Sequence, residues 1–143
     1  MCKTKRQSER GASLVEFSIA ATVFLMAMFT VIEFGRVIWT HNALADAARR
    51  GARYAVINSA AAEDDVKRLV VYGDPAGGKN PIVENLSVNN VEVTYAGFGL
   101  DTGTAQVKIT NYDFDFAIPI VSTRIRMPEY QTTLTGESAG TAP

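Results

Sequence analysis

Apolar residues are unevenly distributed along this chain, and their spacing predicts a long helix near its start. Residues 17–32, FSIAATVFLMAMFTVI, are sixteen consecutive residues without a charge. As a helix they span roughly 24 Å, and with the flanking turns they can cross a hydrocarbon layer of about 30 Å. Apolar residues then recur at helical spacing as far as Ala55, and the first proline is Pro75. We therefore predict one helix from about residue 12 to residue 56, with residues 12–33 in a membrane and residues 34–57 continuing outside it.

Two other kinds of segment share this composition. The buried core helix of a soluble protein normally has a polar face, and residues 17–32 have none. A cleavable secretory signal has a shorter apolar run that ends at a small-residue cleavage site, whereas this run continues directly into EFGRVIW. The pattern favours a retained transmembrane helix.

The remainder, residues 58–135, is predicted to be a small α+β domain whose antiparallel sheet packs against the long helix. Residues 60–72 have acids first and bases later and precede Gly73, which predicts a short helix. Residues 73–81 are a loop. Alternating residues predict strands at 91–95 and 105–110 joined through a glycine-rich hairpin connection, and a third strand within 127–135. The apolar residues 114–121 contain Pro119, which favours an edge strand or a crossover, and we expect the tail, residues 136–143, to be disordered.

The distribution of charge predicts how the chain is oriented across the membrane. The ten residues before Gly11 carry four basic side chains and one acidic side chain, a net +3, and the rest of the chain carries −4. Basic residues beside a membrane span stay cytoplasmic, so we expect the domain to be extracytoplasmic and Trp39 to lie near the outer interface. Nucleic-acid binding is not favoured, because the basic patch is not on the folded part. The single cysteine, Cys2, excludes an intrachain disulfide; we interpret it as an incidental thiol, since no apolar signal precedes it as in a lipoprotein.

Glu16 is an ionisable residue at the start of the predicted span. Such residues are energetically costly in a membrane and are functional candidates, although Glu16 could also reach the headgroups or favour the helix N-terminus. The run KTKRQSERG-ASLVEF resembles the processing site of class III signal peptides, the leaders of type IV pilins. Those leaders are cut after a glycine and place a glutamate fifth in the mature chain. On this resemblance, residues 1–11 are the leader, the cut lies between Gly11 and Ala12, and Glu16 is the fifth mature residue.

Further motifs resemble the TadE-like proteins of the tight-adherence (Flp) pilus system. That family reads roughly as RG-x-x-x-VEF, an apolar span, EFGR and AAR-x-GARYA. The matching residues here are Arg10-Gly11, Val15-Glu16-Phe17, Glu33-Phe34-Gly35-Arg36 and residues 47–55. The resemblance is dense over residues 10–56; one departure is Ala21-Thr22, where many relatives carry a proline.

The resemblance implies a pilin-like fold and a minor pilin-like (pseudopilin) component of a Tad/Flp pilus assembly or secretion system, in the bacterial cytoplasmic (inner) membrane. Its implied partners are prepilin peptidase, other pilin-like subunits and pilus assembly proteins. Ala12, Glu16 and Phe17 would serve assembly: the new ammonium of Ala12 would pair with the Glu16 carboxylate of a neighbouring subunit and set the register between subunits.

Two charged groups on the helix have alternative interpretations. Glu33 and Arg36 are three residues apart and share a face, so they form either an internal ion pair or a contact to a partner helix. Arg49, Arg50 and Arg53 form either a solvated helix end or a contact to headgroups or a partner. The sequence favours the first alternative in each case.

We find no pattern that predicts an enzyme, a metal site or a cofactor. His41 is the only histidine, so no histidine-based metal cluster or triad can form. Asp113 and Asp115 with Asp101 could bind calcium, but a solvated strand face is favoured. Gly77-Gly78-Lys79 lacks the spacing of a phosphate-binding loop. Alternative functions are a membrane-tethered adhesive or binding module and a main filament subunit, although main Flp subunits are typically much shorter.

Overall fold

The computed structural model of the chain describes residues 4–58, 62–97, 103–117 and 124–136, with side chains from residue 11 onward. Its first element is a single helix of 54 residues, α1 (Thr4–Ile57), about 80 Å long at a rise of 1.5 Å per residue. The predicted C-terminal end is confirmed to within one residue. The predicted start near residue 12 is wrong: residues 4–10 contain good helix formers and no proline, so the helix extends back through the basic tip.

The two halves of α1 have different surroundings. Residues 11–32 are exposed, except for the half-buried Ala21. From Glu33 onward the helix has a buried face, whose members follow helical spacing of three, four or seven residues: Glu33, Thr40, Leu44, Ala47, Ala48, Gly51, Ala52 and Ala55. The first half therefore stands apart from the domain, and the second half forms part of its core.

The second helix, α2 (Glu63–Tyr72), has the end signals that its sequence predicts. Three acids occupy its first turn, where the helix dipole favours negative charge. The helix ends at Gly73, whose φ of +79° is readily adopted by glycine and whose N–H donates to the carbonyl of Leu69 at 2.9 Å. One face is buried through Val66, Val70 and Val71.

A 3-10 turn (Val88–Asn90) leads into the strands. The described residues contain β1 (Val91–Ala96), β2 (Thr104–Ile109), β3 (Asp113–Asp115), β4 (Arg124–Arg126) and β5 (Tyr130–Thr135). One antiparallel sheet has the order β1-β2-β5, with Val107 of the central strand opposite Val93 and Thr132. The predicted strands at 91–95, 105–110 and within 127–135 are confirmed.

The second sheet, β3 paired with β4, was not predicted. The interpretation of residues 114–121 as an edge strand or crossover falls partly outside the described residues, as do most of the hairpin connection and the tail after Gly136. β4 reads Arg-Ile-Arg, and all three of its residues are exposed. Because none of its positions is buried, the alternation of residue types in β4 did little to predict a strand.

The core lies between the helices and the inner face of the three-stranded sheet. β2 alternates strictly, with Ala105, Val107 and Ile109 buried against the helices. α1 contacts α2, β2 and β5, and α2 contacts β1. The protein thus has the expected α+β fold, a long N-terminal helix packed on a small antiparallel sheet.

Candidate membrane-anchoring and assembly site

The apolar half of α1 fits a membrane anchor. α1 is the one described helix that is long and apolar enough to cross a membrane; its most apolar window has a mean hydropathy of 2.1 and is not buried. The hydroxyls of Ser18, Thr22 and Thr30 each donate to the carbonyl four residues earlier at 2.8 Å. The helix therefore satisfies these polar groups itself, as a lipid surround requires.

Gly11 and Ala12, the predicted processing site, lie within α1 and are exposed. A methyl group added to Gly11 would meet nothing within 4 Å, so packing does not explain this glycine. A glycine inside a helix destabilises it by roughly 1 kcal/mol relative to alanine. The backbone at the predicted cut is consequently helical, but it can be unwound locally more easily than its neighbours.

Glu16 and Phe17 project from the exposed surface of the same segment, and Phe17 is 71% exposed. Helix positions one turn from Glu16 hold residues without a charge: Ala12, Ser13, Ile19 and Ala20. Because groups three and four residues apart are the neighbours on a helix surface, no cation within one turn on α1 neutralises this carboxylate.

The structure places Glu33 where the exposed half of α1 meets the domain, and only 5% of it is exposed. Its Oε1 accepts a hydrogen bond from Arg36 Nη1 at 2.6 Å and another from the backbone N–H of Ala117 at 2.8 Å. The Arg36 guanidinium also lies 5.3 Å from the ring centroid of Phe114. The internal ion pair is thus present; a partner contact by Glu33 or Arg36 stays a prediction.

The AARRGARYA segment has two faces. Its small residues are buried against α2 and the sheet: Ala47, Ala48, Gly51, Ala52 and Ala55. A methyl group on Gly51 would overlap the side chain of Val70. Arg49, Arg50 and Arg53 are exposed, and Arg50 pairs with Asp46 at 2.7 Å. The motif is explained by close helix packing on one side and solvation on the other.

The polar residues considered for metal chemistry have other contacts. His41 Nδ1 lies 2.8 Å from the Tyr130 hydroxyl, with the two rings edge to face. Asp115 pairs with Arg124 at 2.7 Å and Asp113 with Arg126 at 3.2 Å, while Asp101 falls outside the described residues. The described part of the chain has no group of three metal-ligating side chains that could hold an ion.

Sequence reasoning missed two features near Glu33. One is the Ala117 amide, which is 84 residues from its carboxylate partner. The other is a cavity of about 230 Å³ whose lining residues come from three segments: α1, the loop that precedes β1, and β3. Neither has a signal in the sequence, because both depend on how distant segments meet.

Comparison with known proteins identifies the N-terminal segment. The model of the TadE-like protein family matches residues 11–53, from the predicted processing glycine to the last arginine of the GAR motif. No curated protein and no solved structure matches the chain. The family suggests a component associated with the Tad pilus. The segment that holds the apolar half of α1 and most of its domain-packing face is therefore similar to the TadE-like family.

Proposed function

We propose that this protein is a minor pilin-like (pseudopilin) component of a Tad/Flp-type pilus assembly or secretion system, and that prepilin peptidase cuts it between Gly11 and Ala12. The observation that carries the proposal is that the exposed apolar part of α1 begins with a glycine without packing contacts and has a carboxylate five residues later. A plain membrane anchor requires neither residue.

Cleavage after Gly11 would remove only the basic leader. The apolar run begins at Phe17, so the mature chain keeps its whole anchor. The proposed cut requires an extended backbone in the protease, and Gly11 makes the necessary local unwinding of α1 less costly. The basic leader places this site on the cytoplasmic side of the bacterial inner membrane and the sheet domain on the other side.

Glu16 would act after the cut. In lipid an unpaired carboxylate is strongly penalised, and no side chain of α1 within one turn carries a positive charge. The new ammonium of Ala12 on a neighbouring subunit is a suitable partner, and the exposed ring of Phe17 would pack between the same two helices. Such a pair is directional, because either charge alone is costly in an apolar surround. It would therefore help set the axial register between subunits.

We further propose that the role is structural and not catalytic. In support, the only histidine contacts Tyr130, and the aspartates of β3 pair with arginines of β4. The proposed partners are prepilin peptidase and other pilin-like subunits.

The test uses the full chain expressed with its pilus system. Intact mass of the membrane-extracted protein should show a chain that begins at Ala12, and Gly11→Val should retain residues 1–11. Glu16→Gln should be cleaved normally yet recovered with its partner subunits at a level reduced by about tenfold, the effect of roughly 1.4 kcal/mol.

Glu9→Gln is the matched control, since it makes the same chemical change in the leader that cleavage removes, and it should behave as the native chain does. Recovery of the native protein with its leader intact would refute the processing step and favour a tethered adhesive module. Normal incorporation of cleaved Glu16→Gln would refute the register role.

A further inference from the structure

With residues 17–32 in the hydrocarbon layer, the cavity beside Glu33 would lie at the height of the lipid headgroups. Arg36 is four residues beyond Ile32, the last uncharged residue of the apolar run, and so about 6 Å above it along the helix. The interfacial layer on each side of a bilayer is roughly 5–7 Å thick. Helix side chains also tilt towards the N-terminus, so Arg36 and Trp39, which both line the cavity, lean towards the membrane.

The cavity wall offers a cation with free donors. A guanidinium group has five N–H donors, and the contacts described for Arg36 use one of them, to Glu33. The Arg36 side chain is 40% exposed, so a ligand can reach part of it. This geometry suits a phosphate oxygen.

Two acidic residues, Glu84 and Asp115, also line the cavity. The Asn85 amide donates to Asp115 at 3.0 Å, and the Tyr112 hydroxyl donates to the Glu84 carbonyl at 2.9 Å. The pKa of Tyr112 is raised to about 12, first by burial and then by the negative charges of Glu84 and Asp115, which together outweigh the opposing effect of Arg36. This part of the lining therefore favours positive charge.

The balance of charge around the cavity selects the kind of headgroup. Glu33 is paired with Arg36, and Asp115 is paired with Arg124, whereas Glu84 has no cation among its described contacts. Among the described residues this leaves one net negative charge, which disfavours an anionic headgroup. The exposed ring of Trp39, 60% accessible, can also lie against an ammonium.

We propose that this cavity binds the headgroup of a phospholipid that carries a phosphodiester and a primary ammonium, as phosphatidylethanolamine does. Arg36 holds the phosphate, and Glu84 and Trp39 hold the ammonium. At about 230 Å³ the cavity is smaller than the usual sites of drug-sized ligands, which fits a headgroup whose acyl chains stay in the bilayer. The proposal rests on membrane anchoring alone and does not require pilus assembly.

Trp39 is the only tryptophan, so its fluorescence reports on the cavity directly. The full chain in a non-phospholipid detergent is titrated with short-chain phosphatidylethanolamine, phosphatidylcholine or phosphatidylglycerol of equal acyl length. We expect a saturable change in emission with the ethanolamine lipid, at a half-saturation about tenfold below that of the other two, the ratio for one lost polar contact of roughly 1.4 kcal/mol.

Glu84→Gln tests the ammonium contact without removing the backbone carbonyl that holds Tyr112. It should weaken binding of the ethanolamine lipid about tenfold, whereas Glu92→Gln, at an exposed glutamate of β1 outside the cavity, should leave it unchanged. Equal responses to the three lipids, tighter binding of phosphatidylglycerol, or full affinity in Glu84→Gln would overturn the proposal. Equally tight saturation by free phosphoethanolamine would also overturn it, by indicating a soluble ligand.

Discussion

Gly51 lies where α1 comes closest to α2 and the sheet, and we expect Gly51→Ala to destabilise the domain. A methyl group at this position overlaps a γ-methyl of Val70 and lies 3.4 Å from a γ-methyl of Val107. Both valines are completely buried. Val70 is on a helix, where its β-branched side chain strongly prefers one rotamer, so it cannot turn aside without strain.

The size of the effect is the difference between two terms. Overpacking a well-filled core costs about 1–3 kcal/mol. Replacing glycine by alanine in a helix interior gains roughly 1 kcal/mol. The net destabilisation should be about 1 kcal/mol or somewhat more.

Gly35 is the matched control on the same helix, because a methyl group there meets nothing within 4 Å. Gly35→Ala should therefore stabilise α1 by roughly 0.5–1 kcal/mol. Both variants are compared with the native chain by chemical unfolding in detergent micelles, followed by the near-ultraviolet circular dichroism of the tyrosines. Because the two variants should change the free energy of unfolding in opposite directions, the comparison separates the effect of packing from that of helix propensity.

A double-mutant cycle with Val70→Ala tests the cause. Val70→Ala removes the overlapping methyl, so Gly51→Ala should cost less, by about 1 kcal/mol, in that background than in the native chain. If Gly51→Ala is as stable as Gly35→Ala, or if the two changes at Gly51 and Val70 are additive, the close-packing explanation of this glycine is wrong.

Two further predictions concern buried polar groups. The pKa of Tyr112 is raised to about 12, above its value of about 10 in the unfolded chain. The contribution of Tyr112 to the free energy of unfolding is therefore complete below pH 10 and is lost as the pH rises towards 12. The expected loss is roughly 2–3 kcal/mol. Unfolding measured from pH 9 to 12 should show a shallower decline in Tyr112→Phe, and an unchanged decline would contradict this assignment. Glu33→Ala removes the acceptor of Ala117 and the partner of Arg36, so it should cost about 2 kcal/mol and speed hydrogen exchange at the Ala117 amide. Glu33→Gln keeps a neutral acceptor and should cost less; equal exchange at Ala117 in all three chains would refute the contact.

Several elements were predictable because their signals are local. The sixteen uncharged residues, the acids before Gly73 and the alternation along β2 each reflect which faces of one element meet water. Such periodicity predicted both helices and all three strands of the main sheet. The start of α1 was less predictable, since the basic tip contains residues that suit a helix as well as a flexible leader.

The candidate site, too, was only partly predictable from the sequence. The residues proposed to act in processing and assembly, Gly11, Ala12, Glu16 and Phe17, could be named from the sequence because motif spacing defines them. Their proposed chemistry lies between molecules, and the fold of one chain leaves it as a prediction.

By itself, the sequence determined the long apolar helix, the continuation of that helix into the domain and the alternating strands, because each is specified by neighbours within a few residues. Only the tertiary structure decided that Glu33 holds the amide of Ala117, that Gly51 leaves space for Val70, and that Arg36, Trp39 and Glu84 surround one cavity. Those contacts join residues far apart in the chain, and their partners are chosen by the packing of whole elements.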